Sequence, residues 1–306
     1  AHSSKAHVYV APMSIMSMYG GTSEDLRGIV NVKRGGVHDC STNATLLKYF
    51  GYKVLLDLDH TVFDLYKKRL HGSWEAIVDG FAQQAKPCIA NGTAVGVFIA
   101  DEICCSYGIS YQNLSSVASR LKARLPYAWI TTNECWNINT WPALTSDGEG
   151  GIPPGLDAIS ADVYDMNTPP ERPPNSNGTA NAYKNIKFFE NEVFPRLRPN
   201  QMALLAPGVF ASSPAHCRAS NISCPLATQA EQVVARLDVL FNWSKQQHKI
   251  VGWIPWHFEN RSTPQWGGAY NLELGAITMP SVVSKLREVG AFVQSHKPPV
   301  RNVPIP

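Results

Sequence analysis

The 306-residue chain has no apolar run near the roughly 20 residues that cross a bilayer, so no membrane-spanning helix is expected. It lacks a strong charge of either sign, with a net charge of +3 and no basic run interleaved with aromatics, which argues against nucleic acid as a partner. It also lacks a Gly-x-Gly-x-x-Gly or P-loop after any strand-like segment, which removes the usual phosphate cradles and with them any expected cofactor. Gly-x-Ser-x-Gly is missing, so a Ser-His-Asp hydrolase has no support. No Cys-x-x-Cys pair stands in zinc spacing, His38-Asp39-Cys40 reads as a structural loop triplet, and no metal site is expected. The first residue is Ala1 rather than Met, which reads as a processed product or a trimmed chain.

What is present points to an oxidising, secretory setting. Seven Asn-x-Ser/Thr sequons begin at Asn43, Asn91, Asn113, Asn177, Asn221, Asn242 and Asn260, more than chance would supply. Seven cysteines fit the same setting with one left over. Cys217 and Cys224 flank a short polar loop and form the expected disulfide, while Cys40, Cys88, Cys104, Cys105 and Cys135 cannot be paired from spacing. The expected location is secreted or lumenal, with N-linked glycans.

Strand-like and helix-like segments alternate along the whole chain. Strands are expected at 7–12, 28–33, 52–59, 94–100, 127–132, 156–161, 201–206 and 250–255. Helices are expected at 41–50, 74–85, 113–125, 182–197, 228–247 and 281–295, the fifth opened by a Thr228/Glu231 capping box. Eight such units imply an α/β fold of the (β/α)8 TIM-barrel type in one domain over 1–296, with a proline-rich tail over 297–306. A doubly wound open sheet is the competing arrangement.

Barrels build their sites at the C-terminal strand ends, and here those ends carry carboxylates and aromatics. The run Ala94-Val-Gly-Val-Phe-Ile-Ala ends in Asp101-Glu102. Two adjacent carboxylates repel, and one is expected to keep a raised pKa and serve as a proton donor. Other strand ends supply Asp59, Glu134 with Trp136, Asp162 with Tyr164, and Trp256 with His257. Asp57 is expected to be a buried partner for a Lys or Arg. Paired carboxylates under Trp and Tyr suit cleavage of a glycosidic bond, where rings stack on sugar faces. Trp129 and Trp253 are read as packing residues. On a regular strand Asp101 and Glu102 point to opposite faces, so one of them is expected to bond elsewhere.

The strand-four end Phe98-Ile-Ala-Asp101-Glu102 resembles retaining barrel glycoside hydrolases. The adjacent Asp-Glu is similar to β-hexosaminidases, in which the Glu donates the proton and the Asp orients the substrate acetamido group. Asp162-Val-Tyr164-Asp165 is similar to the strand-six Tyr-Asp of chitinase-like barrels. The resemblance implies Glu102 as general acid/base, Asp101 as orienting residue, Glu134 and Asp162 as further catalytic candidates, and Tyr164, Asp59, Trp136, Trp256 and His257 as sugar contacts. An N-acetylhexosamine substrate follows from the same resemblance. Two departures stand out: Ala100 occupies a position that is Asp in the chitinase pattern, and Ala206-Pro207-Gly208 carries no strand-seven Glu. The nucleophile then falls to Glu134, Asp162 or Glu259, or to the substrate itself. The alternatives are an inactive, hydrolase-derived carbohydrate-binding protein, or a barrel recruited to other chemistry on a small aromatic ligand.

Overall fold

Residues 94–101 form the longest strand among the described residues because almost every side chain in the run is apolar and finds a buried place on one of the sheet's two faces. The computed structural model describes residues 6–8, 14–17, 27, 29–36, 53–135, 151–163, 178–212, 223, 225–256, 261–262, 272–295 and 301–303. Eight parallel strands line up in sequence order: β1 (Ser14–Ser17), β2 (Val32–Gly35), β3 (Lys53–Asp57), β4 (Ala94–Asp101), β5 (Trp129–Glu134), β6 (Ala158–Val163), β7 (Met202–Pro207) and β8 (Ile250–Trp253). Each bonds to two neighbours, and β8 returns to β1 to close the ring.

Among the described residues, five helices cover the outside: α1 (Trp74–Ala90), α2 (Tyr111–Arg124), α3 (Gly178–Phe188), α4 (Leu226–Ser244) and α5 (Pro280–Ser295). In α1 the buried residues Val78, Phe81, Ala82, Ala85 and Cys88 recur at helical spacing and form the face laid on the sheet. Helix α2 starts where Ser110 Oγ accepts the Asn113 N–H at 3.3 Å, a side-chain cap on an orphan donor. Gly178 opens α3 against α4, where a Cβ would stand 1.9 Å from the Gln232 carbonyl oxygen, so only glycine fits.

Two apolar clusters result. The larger fills the layer between strands and helices. The smaller, Val32, Leu55, Phe98, Ala158, Leu204, Ala206, Val251 and Ile254, fills the barrel interior. Trp253 lies wholly buried with its indole N–H on Ser244 Oγ at 3.2 Å, the packing role expected of it. Trp129 packs against the interior cluster.

Several boundaries differ from the sequence reading. The segment read as the first strand contributes Ala6–Val8 to an antiparallel pair with Arg301–Val303, and the barrel's first strand is Ser14–Ser17. Helix α4 begins at Leu226 after Pro225 with no side-chain cap, so Thr228 sits inside the helix and the capping box is not used. The helix expected over 182–197 runs as α3, then a π-turn at Phe189–Val193 and a 3₁₀ turn at Phe194–Arg196. The helix expected at 41–50 lies outside the described residues.

Candidate active site

Strand β4 ends in an irregularity that decides the site. Phe98 pairs with Thr131 of β5, but the next partner of Asn133 is Asp101 rather than Ala100. One extra residue has entered β4, a β-bulge. Phe98 faces the barrel interior, and the bulge returns Asp101 to that same side. Glu102 then takes φ +50°, a left-handed backbone uncommon outside glycine. Its N–H donates to the Asn133 carbonyl at 2.8 Å. The expected opposition of the two side chains is thereby removed, and both carboxyls join one network.

Asn133 is the centre of that network. Its Nδ2 donates to Asp101 Oδ1 at 2.8 Å and to Asp162 Oδ1 at 2.9 Å, and its Oδ1 accepts from Ser160 Oγ at 2.6 Å. Asp162 is also hydrogen-bonded to Glu102. Glu102 is held from its own loop too, as Ser106 Oγ donates to Glu102 Oε2 at 2.6 Å. Burial pushes the Asp162 carboxyl well above the ordinary range, and its bond to Glu102 and the charges of Glu102 and Asp101 push the same way. Burial also raises Asp101, with Glu102 adding to it, while the Asn133 bond, Arg34 and His60 pull it down. Asp162, at the least, therefore holds a proton at pH values where a free aspartate has lost it.

Glu134, the catalytic candidate expected on β5, is one residue beyond Asn133 and faces the opposite side of the sheet. It is fully buried, and accepts the N–H groups of Cys104 and Cys105 at 3.1–3.2 Å. Burial raises its pKa to about 8 against the pull of those two N–H groups. The Cys104 thiol, bonded to Glu134, is raised well above its usual value by its own burial. Glu134 thus anchors the loop that carries Glu102. The Cys105–Cys135 disulfide, a pairing that spacing could not reveal, ties the same loop to the end of β5. Cys88 is disulfide-bonded as well, and Cys104 is a free thiol. Glu102 and the Cys105 and Cys135 sulfurs gather within 4.8 Å. As a disulfide, these sulfurs lack the thiolate that a metal ion needs.

Around this centre, Arg34 pairs with Asp57 at 2.5 Å and lies 4.4 Å over the Phe98 ring, so Asp57 is the ion-pair partner expected of it, though half-buried rather than buried. His60 Nε2 contacts the Asp101 carbonyl at 3.1 Å, and its ring meets Tyr107. Trp256 bridges to Gly208 and packs half-buried on the interior cluster. On β7 the residue in register with Asp162 is Ala206. Asp59 begins a 3₁₀ turn after β3. Trp136, Tyr164, His257, Cys217, Cys224, Asn43, Asn177, Asn221 and Asn260 lie outside the described residues. Of the other sequons, Asn91 and Asn242 are exposed and Asn113 is half-buried.

Sequence reasoning passed over Asn133, Ser160 and Ser106. The strand was expected to stop at Thr132, one residue short of Asn133. A signal was present in the alternation of Thr131, Asn133 and Ser160, Asp162, which places polar residues on one face of two neighbouring strands.

No protein-family model matches the chain, and no curated protein matches it. Solved structures do. A Thermobacillus composti GH10 xylanase superposes with a TM-score of 0.58 at 13% identity, over 90% of this chain and 96% of that one. An Amycolatopsis mediterranei GH128 endo-β-1,3-glucanase in complex with laminaritriose gives 0.52 at 10% identity, over 92% and 100%. An Eisenbergiella tayi GH2 β-galacturonidase bound to galacturonate gives 0.54 at 16% identity, over 87% of this chain but only 45% of its own length. All three are glycoside hydrolases, and at such identities the likeness establishes a TIM-barrel-like fold.

Proposed function

We propose that the chain is a glycosidase built as one (β/α)8 domain over 1–296, with Glu102 as general acid/base, acting on an N-acetylhexosaminide with help from the substrate's own acetamido group. One observation carries this reading: Asp101, Glu102 and Asp162 crowd together on the β4–β6 side around Asn133, while β7 offers Ala206 beside Asp162. Inverting enzymes separate their two carboxyls by about 6.5–9.5 Å to admit a water. Two carboxyls sharing one amide nitrogen at 2.8 and 2.9 Å leave no such gap. Among the described residues no carboxylate faces them from β7 to attack the anomeric carbon. A nucleophile supplied by the substrate answers that arrangement.

In this mechanism Glu102 gives its proton to the glycosidic oxygen as the bond to the anomeric carbon breaks. The acetamido oxygen attacks that carbon, forming a cyclic intermediate. Asp101, oriented by Asn133, accepts the acetamido N–H and so strengthens the attacking oxygen. Water, deprotonated by Glu102, then opens the intermediate. Asp162 holds Glu102 in place through their hydrogen bond. Trp256, Trp136, Tyr164, His257 and Asp59 are the proposed sugar contacts. The disulfides and the exposed Asn91 and Asn242 sequons support a secreted or lumenal glycoprotein.

The test is a panel of N-acetylhexosaminide and other glycosides across pH 4–8, with Glu102→Gln beside the wild type. Loss of turnover by about 10²-fold or more in the variant supports the acid/base role. Equal turnover by both proteins overturns it. The empty carboxylate position on β7 favours a second reading, an inactive carbohydrate-binding protein, and glycan binding without turnover of any panel member would select that one.

A further inference from the structure

The loop after β3 leaves the catalytic end of the barrel as a 3₁₀ turn, Asp59–Val62, and a short hairpin that pairs Phe63–Asp64 with Arg69–Leu70. The hairpin base is anchored, with Phe63 buried in the core. Its turn carries Tyr66-Lys67-Lys68, Arg69 opens the return strand opposite Asp64, and Tyr66 is 95% exposed. Of the three cations, Lys67 pairs with Asp64 at 3.3 Å, whereas Lys68 and Arg69 form no ion pair among the described residues. Lys68 sits at φ +52°, a backbone that a lysine rarely adopts. That geometry lays its side chain against Gly108, which has φ +68° and whose Cβ would stand 3.4 Å from the Lys68 ammonium.

Gly108 belongs to the loop that starts at Glu102. Its N–H donates to the Cys104 carbonyl at 3.1 Å, and Tyr107 beside it meets the His60 ring at 4.9 Å between centroids. The hairpin and the acid-bearing loop thus form one wall that carries Lys68, Arg69 and two exposed tyrosines, with Arg69 across the strand pair from Asp64, whose carboxylate Lys67 already holds. Tyrosine faces stack on sugar rings, and Lys and Arg bind carboxylate and sulfate groups.

We propose that this wall is a subsite for an anionic sugar, one bearing a carboxylate or a sulfate, next to the sugar that is cleaved. The proposal deepens the glycosidase reading and rests on it for the word next, but the binding it asserts requires no turnover. Lys68 and Arg69 take the anionic group, and Tyr66 covers the ring.

The experiment is calorimetric binding of three oligosaccharide probes of equal length to the full chain: one carrying only carboxylates, one carrying only sulfates, and neutral chitohexaose. The same titrations are run on Lys68→Asn/Arg69→Gln, since Asn tolerates the left-handed backbone, and on Tyr66→Ala. At least one anionic probe is expected to bind more tightly than chitohexaose. That preference is expected to fall by about fivefold in the double variant, the worth of two exposed charge contacts, and to shrink at about 0.5 M salt, where the Debye length drops below 5 Å. Whichever anionic probe keeps the preference identifies carboxylate or sulfate. Equal binding of charged and neutral probes, no binding of any probe, or an unchanged preference in the double variant overturns the subsite. Anionic preference in a protein that cleaves none of the glycosides leaves the subsite standing and overturns only the hydrolytic reading.

Discussion

Asp79 and Asp162 are both held by side-chain donors from neighbouring elements, yet their carboxyls are driven in opposite directions. Asp79 on α1 takes four contacts of 2.7–2.9 Å from Arg120 and Arg124 of α2, and those bonds lower its pKa. Asp162 takes one bond from a neutral amide and a second shared with Glu102, in a place closed to water, and burial raises it. The outer surface uses charge to join two helices. The mouth keeps three carboxyls together that would separate if they were free to, which is how proton-transfer sites are made. The cost of that crowding is carried by the large apolar layer behind the strands.

The strongest test of this contrast uses Glu134, which shares the mouth's character on the hidden side of β5. Its folded pKa of about 8 lies above its ordinary value of 4.5. The folded state therefore binds the proton more tightly than the unfolded state. Stability is full below about 4.5 and falls as pH rises towards 8. At 1.36 kcal/mol per unit the loss is on the order of 4 kcal/mol. Thermal melts are expected to show a lower Tm at pH 8 than at pH 5, and Glu134→Gln, which cannot ionise, is expected to flatten that slope. An unchanged slope in the variant would show that Glu134 is not the group responsible.

Asn133→Ala comes next. Removing an amide that serves three side-chain partners, two of them buried, is expected to cost about 3 kcal/mol in urea unfolding. Its bonds pull Asp101 and Asp162 down. Without them both carboxyls titrate higher, so the acidic limb of the pH–rate profile is expected to move to higher pH. A variant that loses stability with its limb in place would reduce Asn133 to a packing role.

The smallest effect belongs to the surface pair. Asp79→Ala is expected to change stability least of the three, because the Arg120 and Arg124 contacts are solvent-screened. With the pKa lowered, what Asp79 contributes is present above about its ordinary value of 3.8 and is lost as pH falls. Its melts are expected to differ from wild type at pH 7 and to converge with it in acid, the reverse of the Glu134 pattern.

Much of the barrel could be read from local pattern. The apolar run of β4, the helical spacing of α1 and the closing helix α5 are each strong in isolation, and each lies within a few residues of its expected limits. Strand β1 was missed because Ser14-Ile-Met-Ser17 has less apolar contrast than the His7–Pro12 segment before it. Ser14–Ser17 becomes a strand because β8 and β2 offer it partners on both sides. Propensity cannot report on partners more than 200 residues away.

From the sequence by itself came the βα rhythm, and with it the rule that carboxylates at strand ends meet at one mouth. The adjacency of Asp101 and Glu102, the polar end of β6 and the missing carboxylate on β7 are equally matters of sequence. Which of these groups work together was decided only in three dimensions. A single inserted residue in β4 and a left-handed turn at Glu102 brought both of its acids to one side, and an amide on β5 then bridged β4 to β6. The same pleat sent Glu134 to the other face, where it became an anchor for the loop. A strand's alternation can be counted in the chain, but the bulge that resets it depends on the register of its neighbour, and register is a property of the folded sheet.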